Sequence, residues 1–296
     1  MGIPDVQVDY RMHMRQKHIP FDYNKIPLGF YDNIAKKQKG IRSFWHNQKF
    51  KRVIDSFEEP RSSILDIGCF SGTFLSMISR KQASEQIGVD ILKEQIDFAN
   101  QHYATPYRQF FLIDNLKEME FVKDNQFDYI SIIEVVEHLN NHEIEDLIKI
   151  AYKKLKPGGK LIITTPNYFS LWPLQEFILN RVSDVKYEEQ HITHFNYFNI
   201  KNKLDSIVAN MDLLFSFDYK TTTHFITPYI ALFSYKLALK ISSAIPHRKW
   251  TFPLGSLLLI KLIKIEDIVN NSKKNCNWIY YQETPTEKLG DFTLII

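Results

Sequence analysis

Three acidic residues close three successive β-branched runs, and their chemistry is the first thing the chain offers. Asp66 follows Ile64-Leu65, Asp90 follows Ile87-Gly88-Val89, and Asp114-Asn115 follows Phe110-Phe111-Leu112-Ile113. A carboxylate at a strand end can accept two hydrogen bonds from a ribose diol, and an acid or amide can accept from an adenine amino group. Between the first two runs lies Gly68-Cys69-Phe70-Ser71-Gly72. Glycines there let the chain turn sharply and approach a ligand closely. A dinucleotide fingerprint needs glycine at 68, 70 and 73, but Phe70 and Thr73 stand at two of these positions. A P-loop needs Gly-Lys-Ser/Thr, which is missing too. The pattern fits a nucleoside ligand without phosphate. Its expected contacts are Asp66, Gly68, Cys69, Phe70, Gly72, Asp90, Ile91, Asp114 and Asn115, with Glu134 beyond the fourth run.

A second cluster follows the fourth apolar run. Glu134 and Glu137 are three residues apart and share a face on a helical turn, with His138 beside them. His191 and His194 come later, in Gln190-His191-Ile192-Thr193-His194-Phe195. Two chemistries suit such a set. The first is proton transfer, with Glu137, His138, His191 or His194 as the catalytic group. The second is Mg²⁺ or another divalent ion held by Glu134, Glu137, His138 and His194, which would acidify a bound hydroxyl.

These groups need a scaffold, and the periodicity supplies one. Short apolar runs at Ile64–Ile67, Gln86–Asp90, Gln109–Ile113, Phe127–Ile133 and Lys160–Thr165 alternate with helical patterns at Thr73–Arg80, Lys93–His102 and His142–Lys154. That alternation predicts parallel βαβ units, with ligands at the carboxyl ends of the strands. A further helix is expected at Asn199–Asn210 and a strand at Leu213–Tyr219.

In this order the motifs resemble those of the class I S-adenosylmethionine (SAM)-dependent methyltransferases. LDIGCFSGTFL resembles their first motif, with Phe70 in place of the usual middle glycine, and GVD their second. FDYISIIEVVEHL is similar to their fourth-strand motif and LKPGGKLIITTPN to their fifth. The likeness covers about residues 60–219, and EVVEHL resembles the ubiquinone-pathway O-methyltransferases. It implies SAM as cofactor and an α/β, Rossmann-like sheet, mostly parallel with an antiparallel last strand and helices on both faces. Small-RNA 2′-O-methyltransferases share Glu-x-x-Glu-His and a distal His-Phe, which makes RNA an alternative acceptor. A non-catalytic SAM-binding subunit is another alternative.

Around the expected core at 61–220 we place a helical N-terminal extension at 1–60. An acceptor-side cap inserts at 168–197, an apolar basic helical cap follows at 221–290, and a last core strand at 291–296. Residues 254–265 compete for that strand. The chain has 296 residues, a net charge of +3 and two cysteines, too few for a disulfide framework or a cysteine zinc site. Residues 219–265 carry seven Lys/Arg and no acid, whereas 111–150 carry ten acids against three lysines. An acidic surround for the Glu-His cluster disfavours nucleic acid. Apolar residues at helical spacing in 224–265, beside Lys236, Lys240, Lys261 and Lys264, suit a lid or a peripheral membrane contact. With no secretory h-region at the start, the expected location is the cytoplasm, or its membrane face. The expected acceptor is a small or lipid- or sugar-linked molecule.

Overall fold

A computed structural model describes residues 26–182, 191–211, 213–246 and 252–265. Two helices lead, α1 (Phe30–Lys36) and α2 (Gly40–Ile54). The alternating part then runs β1 (Ser62–Ile67), α3 (Thr73–Ser76), β2 (Ala83–Asp90), α4 (Lys93–Tyr103), β3 (Arg108–Leu112), β4 (Phe127–Ile133), α5 (Asn141–Lys154) and β5 (Leu155–Pro166). After it come α6 (Trp172–Val182), α7 (Ile200–Asn210), β6 (Phe215–Thr223), α8 (Thr227–Phe233), α9 (Tyr235–Ala244) and β7 (Leu257–Lys264). The strands form one sheet in the order β3-β2-β1-β4-β5-β7-β6. β1 to β5 pair in parallel, and β7 runs antiparallel to both of its neighbours.

The sheet is buried on both faces, which is why its strands read as apolar runs instead of alternating ones. On one face Leu65, Ile67, Ile130 and Ile132 pack with Leu147 and Ile148 of α5 and Leu204 of α7. On the other, Ile64, Tyr129, Ile162 and Leu259 pack with Val53 of α2 and Ala99 of α4. Each fully buried aliphatic side chain contributes about 1.5–3 kcal/mol, so these two layers hold the strand ends in register.

The expected helix and strand positions hold through Asn210, with Thr73–Arg80 shortened to α3. The C-terminal part differs. The strand between β5 and β6 is Leu257–Lys264, inside the stretch expected to be a helical cap at 221–290 and within 254–265, the segment competing for the core strand. The apolar spacing through 226–245 is real but broken into two short helices, with Ser234 capping α9 by accepting from Leu237 N. Leu257-Leu258-Leu259-Ile260 is long and apolar enough for either state; pairing with β5 and β6 decides it. The expected strand at 291–296 lies outside the described residues.

Candidate active site

The cofactor-side turn is built between the ends of β1 and β2. Gly68 (φ 81°), Phe70 (φ 49°) and Gly72 (φ 74°) are all left-handed. A Cβ on Gly68 would stand 2.5 Å from Val135 Cγ2, so that position needs glycine for space as well as for backbone. The amides of Gly68 and Cys69 both donate to Val89 O, at 2.9 and 3.0 Å. Asp90 closes the turn: Oδ2 accepts from Phe70 N at 2.8 Å and Oδ1 from Leu92 N at 3.0 Å. Burial pushes the Asp90 carboxyl up, against these two hydrogen bonds. Asp66 accepts from Ser131 Oγ at 2.6 Å, and burial raises its carboxyl to about 7. Burial likewise raises the Cys69 thiol.

Phe70, the departure from the usual glycine, is explained by what lies above it. Its ring meets Tyr31 of α1 at 5.2 Å, and Tyr31 meets His46 of α2 at 4.9 Å. The side chain that strains the turn thus recruits the N-terminal helices as a wall. Tyr31, His46 and Lys49 line a cavity of about 340 Å³ together with Asp66, Gly68 and Asp90. Asp114 and Asn115 do not. Both are exposed and tied to Glu118, through Asp114 N and Asn115 Nδ2, while Ile113 and Leu116 line the cavity instead. Asp114 and Asn115, where an adenine contact was expected, thus lie outside the cavity lining.

The same cavity continues to Glu137, His138, Trp172 and His191. Glu134 has left-handed backbone (φ 53°) and sits between the two ends. Its carboxylate pairs with Lys49 and accepts from Trp45 Nε1 at 3.2 Å. Burial alone would raise this carboxyl; the charges of Lys49 and His46 and the hydrogen bonds from Lys49 and Trp45 outweigh it and hold it at about 2. Glu137 is buried, with Oε2 accepting from Thr165 Oγ1 at 3.0 Å and Oε1 without a partner among the described residues. Burial lifts its carboxyl to about 7. The Asn140–Glu143 capping box at the start of α5 pins the turn that carries His138.

His191 arrives from the cap. Its Nδ1 lies 2.8 Å from Glu176 Oε1 and 2.8 Å from Tyr168 OH. Burial pushes this imidazole down, but the Glu176 hydrogen bond and the charges of Glu137 and Glu176 outweigh it and raise it. Asn167, fully buried, anchors that side: Nδ2 donates to Gly255 O and Pro253 O, and Oδ1 accepts from Phe169 N and Tyr197 N.

The four-residue metal set expected at Glu134, Glu137, His138 and His194 is not brought together. Glu134 is committed to Lys49 and Trp45. His194 is exposed, stacked on Tyr168 with ring centres 4.0 Å apart, and outside the cavity wall. Glu137, His138 and His191 are the ones that converge, with polar atoms within 4.8 Å of one another.

Residues 42–207 match a family model described as a methyltransferase domain. With the 3-2-1-4-5-7-6 sheet and the paired strand-end acids, that match settles the family. The chain belongs to the class I SAM-dependent methyltransferases. SAM is the cofactor of this class. The chain is 37% identical over 108 residues to the mitochondrial ubiquinone biosynthesis O-methyltransferase of Rattus norvegicus, covering 35% of this chain and 30% of that protein. It is 24% identical over 193 residues to the chloroplastic tocopherol O-methyltransferase of Arabidopsis thaliana, covering 58% and 54%. The methyltransferase thus spans only about a third of the rat protein's length and about half of the plant protein's. A SAM-dependent methyltransferase structure from Thermotoga maritima covers 79% of the chain and 94% of its own, at TM-score 0.54 and 15% identity, a likeness of fold.

Sequence reasoning missed Tyr31, His46 and Lys49 as wall residues, Trp45 as a donor to Glu134 and Glu176 as a partner of His191. Four of the five lie in helices that read as a polar extension. The one available signal was the aromatic density of residues 30–57.

Proposed function

We propose that this enzyme transfers the methyl group of SAM to a hydroxyl oxygen of a small, apolar, lipid-linked acceptor. The observation that carries the reading is a single cavity with Asp66 and Asp90 at one end and Glu137, His138 and His191 at the other. Between them the wall is mostly apolar, with Val135, Leu139, Leu147 and Pro166. The donor chemistry fits: each oxygen of Asp90 takes one amide hydrogen and keeps a lone pair for a ribose hydroxyl. SAM supplies a methyl already activated on a sulfonium. The protein therefore has to align the acceptor, exclude water and take one proton. Glu137, His138 and His191, at the end of the cavity away from Asp66 and Asp90, are the groups we assign to take it. The names of the ubiquinone and tocopherol O-methyltransferases support an oxygen acceptor on an apolar molecule.

The test is transfer of labelled methyl from SAM to a catechol carrying a short isoprenoid chain. Transfer is expected; if Glu137, His138 and His191 act by proton transfer it should survive EDTA, and if the same three residues hold a metal it should not. Loss on EDTA with recovery on Mg²⁺ would show that a metal assembles there. No transfer to any hydroxyl acceptor of this kind overturns the reading.

The acceptor's lipid character extends to where the enzyme works. Phe233, at the junction of α8 and α9, is 91% exposed, with Leu232 and Leu237 exposed beside it. Lys236 and Lys240 project from the same short helix, and no acid lies in 219–265. An apolar wedge with a basic rim suits an anionic membrane surface, at about 1 kcal/mol per basic residue. No helix among the described residues is long and apolar enough to cross a membrane, so this contact is peripheral. Wild-type protein should sediment with anionic vesicles at low salt, and Phe233→Ser with Lys236→Glu and Lys240→Glu should not. Absence of wild-type sedimentation removes the membrane from the reading.

A further inference from the structure

We infer that Glu176 of α6 is a positioning residue for methyl transfer: it fixes the orientation and tautomer of His191 at the acceptor end of the cavity. This rests on the function proposed above, but its geometry stands independently. His191 Nδ1 is 2.8 Å from Glu176 Oε1 and 2.8 Å from Tyr168 OH, and Tyr168 OH donates to the same Glu176 oxygen at 3.2 Å. An ionised carboxylate only accepts. The proton on this side of the ring therefore sits on Nδ1 and is donated to Glu176, while the tyrosine hydroxyl turns its own proton to Glu176 as well. Nε2 is then the nitrogen turned away from this pair, and in the neutral ring it is the basic one.

The surroundings make the arrangement tight. Glu176 is 8% exposed and His191 7%. Trp172, one turn before Glu176 on α6, packs 6.1 Å from the His191 ring. The His138 ring lies 5.1 Å away on the other side. The chain beside His191 is fixed by Ile192 N and Thr193 N, which both donate to Glu137 O. The groups facing His191 are thus Glu176 and Tyr168 from the cap, and Glu137 and His138 from the turn after β4. A carboxylate behind a histidine is the standard way to hold one tautomer while the other nitrogen serves the reacting proton.

Two measurements test this. Long-range ¹H–¹⁵N correlation spectra of ¹⁵N-histidine-labelled protein read the tautomer of His191 directly. Wild type should show a protonated Nδ1, and Glu176→Gln a mixture; an unchanged His191 signal overturns the inference whatever any activity assay gives. Kinetics with SAM and the isoprenoid catechol supply the second arm. Glu176→Gln should lower kcat roughly 10- to 100-fold with KM for the catechol and affinity for SAM within twofold. In a His191→Ala background the same substitution should have no further effect, because Glu176 acts through His191. Additive losses, or a kcat equal to wild type, overturn the inference. Wild-type protein inactive on the catechol counts against the proposed acceptor class, and the spectra still decide Glu176.

Discussion

Asp90→Ala should weaken SAM binding by roughly 10- to 150-fold, or about 1.5–3 kcal/mol, as read by calorimetry. The carboxylate is 8% exposed and stands at the cavity end of β2. Its removal leaves a ribose hydroxyl without an acceptor. It also frees the amides of Phe70 and Leu92, which now hold the turn. The two effects separate by comparison with Asp90→Asn. The amide keeps an oxygen for one of the two backbone donors but loses the charge and one acceptor. Its affinity should fall between wild type and alanine, with thermal stability of the ligand-free protein close to wild type. Affinity within twofold of wild type in Asp90→Ala would remove Asp90 from the cofactor site.

Lys261→Glu should destabilise the protein by about 3–5 kcal/mol, because it breaks a buried pair and adds a like charge. Lys261 lies in β7 and is 0% exposed. Its Nζ is 2.9 Å from Glu58 and 3.2 Å from Asp218, and it donates to Ser56 O at 3.4 Å. A third carboxylate there would face Glu58 and Asp218, with Lys160, 3.4 Å from Glu58 and shared with Glu59, as the remaining cation among the described residues. Lys261→Met, which keeps the length of the stem, should cost much less, since both acids are about one-third exposed and can be rehydrated. Lys240→Glu, on an exposed position of α9, should stay within about 0.5 kcal/mol. Urea midpoints of the three variants check the order. A Lys261→Glu midpoint equal to that of Lys240→Glu would mean the cluster contributes nothing.

That contrast marks where the sequence is readable. Lys236, Lys240, Lys261 and Lys264 look alike as positions in one basic, apolar stretch. The first two are exposed and the last two are interior, Lys264 donating to Tyr152 O and Leu155 O at 2.9 Å. Nothing local distinguishes them, because their partners are 43 to more than 200 residues away. The parallel strands were legible because burial on both faces writes itself as continuous apolar runs. The strand-end acids Asp66 and Asp90 followed from those boundaries. Helix α2 was legible as a helix but not as a wall. Its buried face carries His46, Gln48, Lys49 and Arg52, whose burial depends on Glu134 and Ser242, far along the chain. Glu176 has no motif around it and became visible only beside His191.

Helix α2 faces in two directions. Through His46 and Lys49 it lines the cofactor end of the cavity. Through Trp45 it packs on Trp172 of the cap, the rings tilted by 38° with centres 5.1 Å apart, and through Arg52 it bonds Ser242 Oγ of α9 at 3.0 Å. One helix thus borders the cofactor end of the cavity and contacts the cap that borders the other. If the donor seats better on one setting of α2 and the acceptor on the same setting, each tightens the other by an identical factor.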